Sequence, residues 1–429
     1  MPMPLPNVGR QPLQSCYETN SLMKIAIVTG IYPPIVGGAG AVMHSLATHA
    51  PDQISIVTCK FDQDGRRLAW EMHDPQQPET IVRLKRFADS LPWMPPGKMR
   101  AIVKALNDRW ILQPGAGREL TRILEAIGPD LVCVNTSFCY WAGDVIRRWR
   151  PHAKLAFYVH GEEVPDGKGY HGRKALEALK GGDRVVAVSS YTKNALVAVG
   201  VDPAKVVVIN NGVDTTRFRP GQKSQAIVDR FRLASRRILL TLARLDERKG
   251  QDMMIRAIPK ILEAVPDLAY LVVGEGIMME RLWKLVSELR LESTVLFTGG
   301  VSDDDVLEYY RTCDVYAMPN RTTVTGDTEG FGLVFLEAMA MGLPVICYDH
   351  GGQTDFLTSG RTGFVVRLND LEAFVHAISA LYDQPQLAGD MAEFNRRLVQ
   401  EYLIDRCAER YERVFEEAIE FRARKRVIA

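Results

Sequence analysis

Two cations in the second half of the chain have the types and the spacing needed to bind a diphosphate. Arg244 follows the apolar run ILLTL, and Lys249 stands beside Gly250, where the next helical stretch begins. Fixed positive charge and the free N–H groups of a helix N-terminus converge well on one anion. The pair is therefore a candidate diphosphate clamp, with a solvated Arg and Lys in a loop as the alternative.

The segment DTEGFGLVFLEAMAMG adds two carboxylates. Glu329 precedes a Gly-Phe-Gly turn, and Glu337 lies about one turn into a helix predicted to begin near Leu333. Gly330 and Gly332 allow main chain to approach a ligand closely. The two carboxylates could thus grip two separate polyols of one extended ligand. The alternative is that Glu329 only complements the helix dipole.

Three more segments place glycine or histidine at the end of a predicted strand or in the loop that follows it. Gly274 in VVGEG could accommodate a nucleoside, and Gly38 lies in a loop that could approach a phosphate. The spacing around Gly38 is not G-x-G-x-x-G, which disfavours a nucleotide-dependent oxidoreductase. His160 ends KLAFYVH, where a neutral imidazole could bind a sugar hydroxyl or steady developing positive charge. A structural histidine is the alternative.

A further acidic motif resembles a metal site but is better explained by helix capping. Asp303, Asp304 and Asp305 contain D-x-D, a pattern that can hold a divalent cation through carboxylate oxygens. In VSDDDVLEYY, however, they follow Ser302 as first-turn acids of a predicted helix. We predict no metal here.

The elements that must position these residues alternate β-branched runs with amphipathic helical stretches, which is typical of parallel α/β sheets. The pattern predicts two successive doubly wound domains whose strand ends and Gly-rich turns share one cleft. The predicted strands are 24–30, 54–59, 81–87, 130–136, 154–160, 184–190, 205–210, 238–245, 268–276, 295–300, 314–319 and 344–352.

The rhythm breaks in the turn-rich segment 210–221, which predicts the linker. The predicted domains are 23–212 and 213–402, followed by a C-terminal helix over 403–429. Residues 1–22 are Pro-rich, lack the features of a secretory signal and are predicted to be a disordered tail, with Met23 as an alternative start.

Composition narrows the class of protein. The seven cysteines are scattered without metal-ligand spacing, which favours reduced thiols in a cytoplasmic protein, and no apolar run is long enough to span a membrane. The net charge of +1 combines +7 over residues 1–220 with −6 over the rest. Nine basic residues between 83 and 122 form a cluster that could contact an anionic membrane or a phosphorylated acceptor, with a solvated helix face as the alternative. They are Arg83, Lys85, Arg86, Lys98, Arg100, Lys104, Arg109, Arg118 and Arg122.

Together these motifs resemble family four of the retaining glycosyltransferases, which have the GT-B fold. The resemblance runs from about Lys24 to about Ala408 and is densest in LARLDERKGQDMMIRA, VVGEG, FTGGVSDDDVLEYY, CDVYAMPNR, EGFGLVFLEAMAMGLPVI and GGQTDFL. The E-x7-E pair with its G-F-G is specific, and its combination with R-x4-K is more so. The resemblance implies an α/β fold of two Rossmann-like domains facing a central cleft, with the last helix packed back on the N-terminal domain.

Carried over by position, Arg244 and Lys249 resemble the residues that neutralise the donor diphosphate. Glu329 resembles the carboxylate for donor-sugar hydroxyls and Glu337 the one for ribose, while His160 resembles the cleft histidine near the anomeric carbon. The resemblance also implies main-chain contacts: Gly38 at the diphosphate, Gly274 and Val301 at the base, Gly330, Phe331 and Gly332 at the sugar, and Leu333 and Val334 at the phosphate.

Within the family, HGEEV, SSYTKNAL, NNGVDTTRFRP and MPNR are most similar to phosphatidylinositol mannosyltransferases and related GDP-mannose enzymes. The loop TTVTGDTEGFG differs from their glycine-rich version, and EGFG replaces their EGLG. The resemblance implies metal-independent, front-face transfer of mannose or another hexose with retention. It also implies a GDP- or UDP-linked sugar as the donor, no cofactor besides, and an anionic, lipid-linked or polysaccharide precursor as the acceptor.

Two other functions compete with transfer: a GT-B nucleotide-sugar epimerase and a non-catalytic nucleotide-sugar-binding subunit. The basic N-terminal part favours a separate anionic acceptor over an epimerase. A binding subunit has no need of Arg244, Lys249, Glu329, Glu337 and His160 together. We expect no nucleic-acid partner. We expect a cytoplasmic location, with peripheral contact to the cytosolic face of the membrane as a further possibility.

Overall fold

The computed structural model describes residues 23–35, 37–50, 53–61, 67–85, 99, 113–161, 164, 169–324 and 326–427. The predicted tail (1–22) lies outside the described residues. Two parallel β-sheets carry the structure, and the predicted α/β class with two doubly wound sheets is confirmed. We call the part built around the first sheet the first half and the part built around the second sheet the second half.

The first sheet has seven strands in the order β3-β2-β1-β4-β5-β6-β7, all parallel. The strands are β1 (Ile25–Thr29), β2 (Ile54–Cys59), β3 (Thr80–Leu84), β4 (Leu131–Asn135), β5 (Lys154–Val159), β6 (Arg184–Ala187) and β7 (Val206–Val208). The helices are α1 (Gly38–His49), α2 (Trp70–His73), α3 (Gln113–Ile127), α4 (Tyr140–Trp149), α5 (Gly169–Gly181) and α6 (Ser190–Ala198).

The second sheet has six parallel strands in the order β10-β9-β8-β11-β12-β13. The strands are β8 (Arg237–Leu242), β9 (Leu268–Val273), β10 (Val295–Gly299), β11 (Val315–Met318), β12 (Val345–Tyr348) and β13 (Gly363–Val366). The helices are α7 (Gln225–Phe231), α8 (Gln251–Ala264), α9 (Met279–Glu288), α10 (Asp303–Thr312), α11 (Leu333–Ala340), α12 (Leu371–Asp383) and α13 (Pro385–Leu398).

Both faces of each sheet are covered, as the near-continuous apolar strands require. Along β1, Ile25 and Ile27 join one hydrophobic cluster, whereas Ala26 and Val28 join the cluster on the opposite face. The order reverses between β1 and β4 and again between β8 and β11. In open α/β sheets, ligands bind outside the carboxyl ends of the strands at such reversals.

The last helix, α14 (Ile404–Val427), returns to the first half. It contacts α1 and β5, and the buried Tyr411 hydroxyl contacts the hydroxyl of Tyr158 on β5. Where the chain crosses back, Val213 N–H donates to Tyr402 O (2.8 Å) and Ile404 N–H donates to Val213 O (3.2 Å). The two crossings between the halves are therefore hydrogen-bonded to each other.

Two sequence expectations have structural counterparts in the described part of the chain. All six cysteines found there are buried and unbridged. Of the helices described, none is both long and apolar enough to cross a bilayer.

Candidate functional site

The predicted site residues lie at carboxyl ends of strands in both sheets, and the two sets meet. Gly38 begins α1 after β1, and a β-carbon there would lie 3.6 Å from Cδ1 of Leu333 in the second half. A β-carbon on Gly330 would lie 1.6 Å from the carbonyl oxygen of His160. The structure thus brings the histidine loop of the first half against the Gly-Phe-Gly turn of the second.

A buried ion-pair cluster lies beside this contact. Lys249 Nζ donates to Oε2 of Glu329, and Arg248 Nη1 donates to the same oxygen at 3.1 Å. Arg248 Nε also lies 3.5 Å from Oδ2 of Asp327. Lys249, Arg248 and Glu329 are 7%, 3% and 7% exposed. Two buried cations thus face one buried carboxylate, Glu329, and the partly exposed Asp327 next to the turn.

These cations determine the protonation of Glu329. Burial by itself raises the pKa of this carboxyl, but Lys249 and Arg248 outweigh burial and hold the pKa at about 2. Glu329 is therefore ionised at physiological pH, although it is buried. Its second oxygen retains acceptor capacity.

Arg244 is more exposed than its predicted partner. Its side chain is 61% exposed and lies 3.3 Å from Asp246, while its carbonyl oxygen accepts a hydrogen bond from Gln251 at 3.0 Å. The pair predicted as one clamp is thus a buried ammonium at Lys249 and an exposed guanidinium at Arg244. The structure adds Arg248 as the second buried cation.

Local backbone geometry explains how the 3₁₀ turn Glu247–Lys249 is positioned. Gly250 has φ +72° and caps α8, and a β-carbon there would lie 1.9 Å from the carbonyl oxygen of Pro319. Only glycine accommodates both the left-handed conformation and that approach. Pro319 follows β11, so the turn with the cations is held against the segment that leads to Glu329.

The Gly-Phe-Gly turn leads directly into α11. Gly332 has φ +86° and caps the helix, whose first N–H groups, at Leu333 and Val334, have no preceding helical carbonyl to pair with. Phe331 is 3% exposed and packs on Phe356 with ring centroids 5.0 Å apart, so it offers main chain rather than its ring to a ligand.

Glu337 lies in α11, as predicted. Tyr310 donates to its Oε2 at 2.9 Å and to the Val334 carbonyl oxygen at 3.3 Å. Burial raises the pKa of Glu337, and the hydrogen bond from Tyr310 opposes that rise. The helix therefore presents a second, separately held carboxyl group.

Gly274 and Val301 follow β9 and β10. A β-carbon on Gly274, which has φ +136°, would lie 2.1 Å from the carbonyl oxygen of Ala243. The protein's own main chain therefore requires glycine there, whether or not a nucleoside binds. Val301 directly precedes Ser302, whose hydroxyl accepts the N–H of Asp305 at 3.2 Å.

The capping interpretation of the acidic motif is confirmed by that hydrogen bond, since the three aspartates form the first turn of α10. Within the described residues no group of three or more side chains is arranged to hold a metal ion.

His160 is held by the first half. Its Nε2 lies 2.7 Å from Oδ1 of Asn135, and its ring centroid lies 4.6 Å from that of Tyr158. Burial lowers the pKa of His160 to about 3, so the imidazole is neutral at physiological pH. The structure therefore shows a neutral, oriented ring at the place where the halves meet.

Three contributors escaped the sequence reasoning: Arg248, Asn135 and Ser189. Arg248 adjoins Lys249, but nothing in its spacing shows that it is buried. Ser189 Oγ donates to the Gly330 carbonyl oxygen at 2.7 Å. The signal available for Ser189 was its place at the N-terminus of a predicted helix, where its hydroxyl also accepts the N–H of Thr192.

The predicted basic cluster needs one correction. Arg83 is 8% exposed and donates to both carboxylate oxygens of Asp74, at 2.6 and 2.8 Å. A buried ion pair cannot attract a membrane surface, so Arg83 leaves the cluster. Lys85, Arg118 and Arg122 are exposed. Outside the described residues lie Arg86, Lys98, Arg100, Lys104 and Arg109.

The chain is similar to known mannosyltransferases. One relative is the GDP-mannose-dependent alpha-(1-6)-phosphatidylinositol monomannoside mannosyltransferase of Mycolicibacterium smegmatis, 37% identical over 57% of this chain and 64% of the relative, which is less than two thirds of its length. Another is the corresponding monoacylated-substrate enzyme of Corynebacterium glutamicum, 27% identical over 84% of this chain and 89% of the relative.

The fold has solved counterparts as well. The crystal structure of Anabaena Alr3699/HepE in complex with UDP superposes with a TM-score of 0.73 at 19% identity and covers 92% of this chain and all of that one. The model for Glycosyltransferase Family 4 matches residues 36–217, and that for Glycosyl transferases group 1 matches residues 225–398. The chain therefore belongs to the GT-B glycosyltransferases of family four.

Proposed function

We propose that this protein is a retaining glycosyltransferase that moves mannose from GDP-mannose to a lipid-linked or other anionic glycan acceptor. One observation carries the proposal: the buried Lys249–Arg248–Glu329 cluster adjoins the turn whose Gly330 meets the main chain of His160. A cluster with two buried cations and a neutral histidine thus lie side by side, which supports donor binding at this point.

The cluster suits a leaving diphosphate. Lys249 and Arg248 bring two buried cations to the turn, and the N–H groups at the start of α11 add positive potential. Fixed positive charge aimed at the developing phosphate charge lowers the barrier without reorganisation. Arg244, exposed at the end of β8, supplies a further cation that a bound diphosphate can engage.

In the proposed step the bond between the anomeric carbon and the diphosphate oxygen breaks, and the acceptor oxygen bonds to that carbon on the same face. The acceptor's proton passes to the departing diphosphate oxygen, so no protein nucleophile is required. Glu329, which is ionised at physiological pH, accepts hydrogen bonds from hydroxyl groups of the donor sugar. Glu337 accepts hydrogen bonds from the ribose hydroxyls, and the main chain at Gly274 and Val301 borders the base.

The donor and acceptor are proposed from the relatives. The mannosyltransferases named above are GDP-mannose-dependent and act on phosphatidylinositol monomannosides. Exposed Lys85, Arg118 and Arg122 are consistent with an anionic acceptor and with peripheral contact to the cytosolic membrane face.

The membrane contact can be tested by co-sedimentation of the protein with anionic vesicles, which should weaken as salt rises. If co-sedimentation depends neither on the charge of the lipid nor on salt, the proposed membrane contact is wrong.

The decisive experiment is a donor panel. The protein is incubated with GDP-mannose, other GDP-hexoses and UDP-glucose, with and without a phosphatidylinositol mannoside acceptor and without added metal. We expect GDP release from GDP-mannose that depends on the acceptor, and NMR of the product should show an α-linked mannose. Lys249→Ala should abolish release, whereas Lys284→Ala, at a position whose side chain is 79% exposed on α9, should not.

The alternative functions give different results. An epimerase would form an epimerised sugar without acceptor. A binding subunit would bind donor without turnover, unchanged in Lys249→Ala. A β-linked product would refute retention while leaving the transferase intact.

A further inference from the structure

Three polar side chains form a hydrogen-bonded row along neighbouring strand ends. Thr29 ends β1, Asn135 ends β4 and His160 follows β5, and these strands are adjacent in the sheet. His160 Nε2 lies 2.7 Å from Asn135 Oδ1, and Asn135 Nδ2 donates to Thr29 Oγ1 at 3.0 Å. Thr29 and Asn135 are fully buried.

The hydroxyl of Thr29 gives the row a direction. Thr29 Oγ1 donates its single hydrogen to the Ile31 carbonyl oxygen at 2.9 Å and accepts the Ile31 N–H at 3.2 Å. With its hydrogen used, this hydroxyl can only accept from Asn135. The amide nitrogen of Asn135 must therefore face Thr29, and its oxygen must face His160.

That direction decides the tautomer of His160. An amide oxygen accepts hydrogen bonds and cannot donate, so Nε2 must carry the hydrogen. A neutral imidazole has one N–H, which leaves Nδ1 as a bare acceptor. In the described part of the chain Nδ1 makes no hydrogen bond, and the low pKa of His160 keeps the ring neutral.

We propose that Thr29 and Asn135 are positioning residues that hold His160 in the Nε2–H tautomer, with Nδ1 available to accept a hydrogen bond from a sugar hydroxyl. The identity of that hydroxyl rests on the proposed function; the tautomer does not. Because Ile31 begins the loop that leads to Gly38, the same Thr29 hydroxyl also ties the histidine to the loop at the proposed diphosphate site.

The tautomer can be measured without any substrate. In protein labelled with ¹⁵N-histidine, long-range proton–nitrogen spectra distinguish protonated from unprotonated ring nitrogens, and His160→Gln identifies the His160 signals among the eight histidines. We expect Nε2 protonated and Nδ1 unprotonated at neutral pH. Protonation at Nδ1 in the unaltered protein would overturn the proposal.

Thr29 offers a matched pair of variants. Thr29→Val keeps the shape but removes the hydroxyl, so Asn135 can reverse and the His160 signals should move toward the other tautomer or a mixture. Thr29→Ser restores the hydroxyl and should restore the original spectrum. Identical spectra for the two variants would contradict the proposed role. Should Thr29→Val not fold, Asn135→Ala tests the same point.

Activity supplies an independent measurement. Asn135→Ala should lower kcat by about 10- to 100-fold, the usual cost of losing a group that orients a histidine. KM for the nucleotide sugar should stay within about twofold, because the cations that bind diphosphate lie in the other half. A rise in KM with unchanged kcat would refute the positioning role. Absence of transfer from every donor would refute the proposed function but leave the tautomer result standing.

Discussion

Gly330 and His160 meet main chain to main chain: a β-carbon on Gly330 would lie 1.6 Å from the His160 carbonyl oxygen and 2.9 Å from the α-carbon of Gly161. The turn that follows Glu329 is therefore seated directly on the strand end that holds the histidine. Ser189 fastens the contact by donating to the Gly330 carbonyl oxygen. Any side chain at Gly330 must separate the two halves.

Gly330→Ala should lower kcat by about 100-fold, because displacing reacting groups by about 1 Å costs that much. Small-angle scattering should also show a larger radius of gyration, since the backbone atoms cannot yield. The control is Gly389→Ala in α13, where an added β-carbon meets nothing within 4 Å. An active, compact Gly330→Ala would show that this contact is not used in the reaction.

Arg248→Ala should destabilise the protein by about 3 kcal/mol at pH 7, because it strips a partner from buried Glu329. The pKa of Glu329 is about 2 against an ordinary 4.5, so the cations contribute full stability above pH 4.5 and lose it as the pH falls toward 2. The destabilisation should therefore shrink in acid.

Urea unfolding of Arg248→Ala at pH 7 and pH 4 measures both effects. The control is Arg397→Ala, which removes an exposed pair with Glu393 and should cost less than about 1 kcal/mol. An equal, small loss for both variants at pH 7 would mean that the buried pair contributes no more than a surface pair.

The histidine gives a separate pH dependence. The pKa of His160 is about 3 in the folded protein against an ordinary 6.5, so the unfolded chain binds the extra proton first as pH falls. Stability from this group is complete above pH 6.5 and declines toward pH 3, by at most about 1.4 kcal/mol per pH unit. His160→Gln should show a shallower decline between pH 6.5 and 4.5 in denaturant midpoints. Parallel curves would indicate that His160 titrates normally.

Tyr411→Phe tests the attachment of α14. It removes the buried hydroxyl that contacts Tyr158 and should cost about 1 kcal/mol of unfolding free energy, with kcat within about twofold of the unaltered protein. Tyr382→Phe is the matched control, because the buried Tyr382 hydroxyl finds no hydrogen-bond partner among the described residues and its loss should be neutral or stabilising. If both changes affect thermal unfolding equally, the contact between the Tyr411 and Tyr158 hydroxyls contributes nothing to stability.

Twelve of the thirteen strands could be predicted because each is a short apolar run between helical stretches or turns. The exception is β13 (Gly363–Val366), whose short apolar run stands in the turn-rich, polar sequence TSGRTGFVVRLND. Its edge position depends on pairing with β12, which lies across a long connection. Apart from β2, whose bounds agree, the predicted strands extended at their carboxyl ends by one to four residues into the loops, where hydrogen bonding stops before the apolar pattern does.

The candidate site could also be predicted only in part from the sequence. Residue type and position at strand ends were enough to single out Lys249, Glu329 and His160. Their contacts were not predictable, since Lys249 and Glu329 are 80 residues apart and join only through tertiary packing. Burial decided the rest: it separates Arg248, which is enclosed, from Arg244, which is exposed, although both are arginines in one short loop.

The paired crossings at Val213 and Leu403 limit how the molecule can move. A body attached at two neighbouring points can rotate about the line through them, but it resists sliding and torsion. We expect motion of one half against the other to follow this hinge. Closure along it would return Gly330 to His160 in the same alignment, so the attachment would help to set the accuracy of the assembled site.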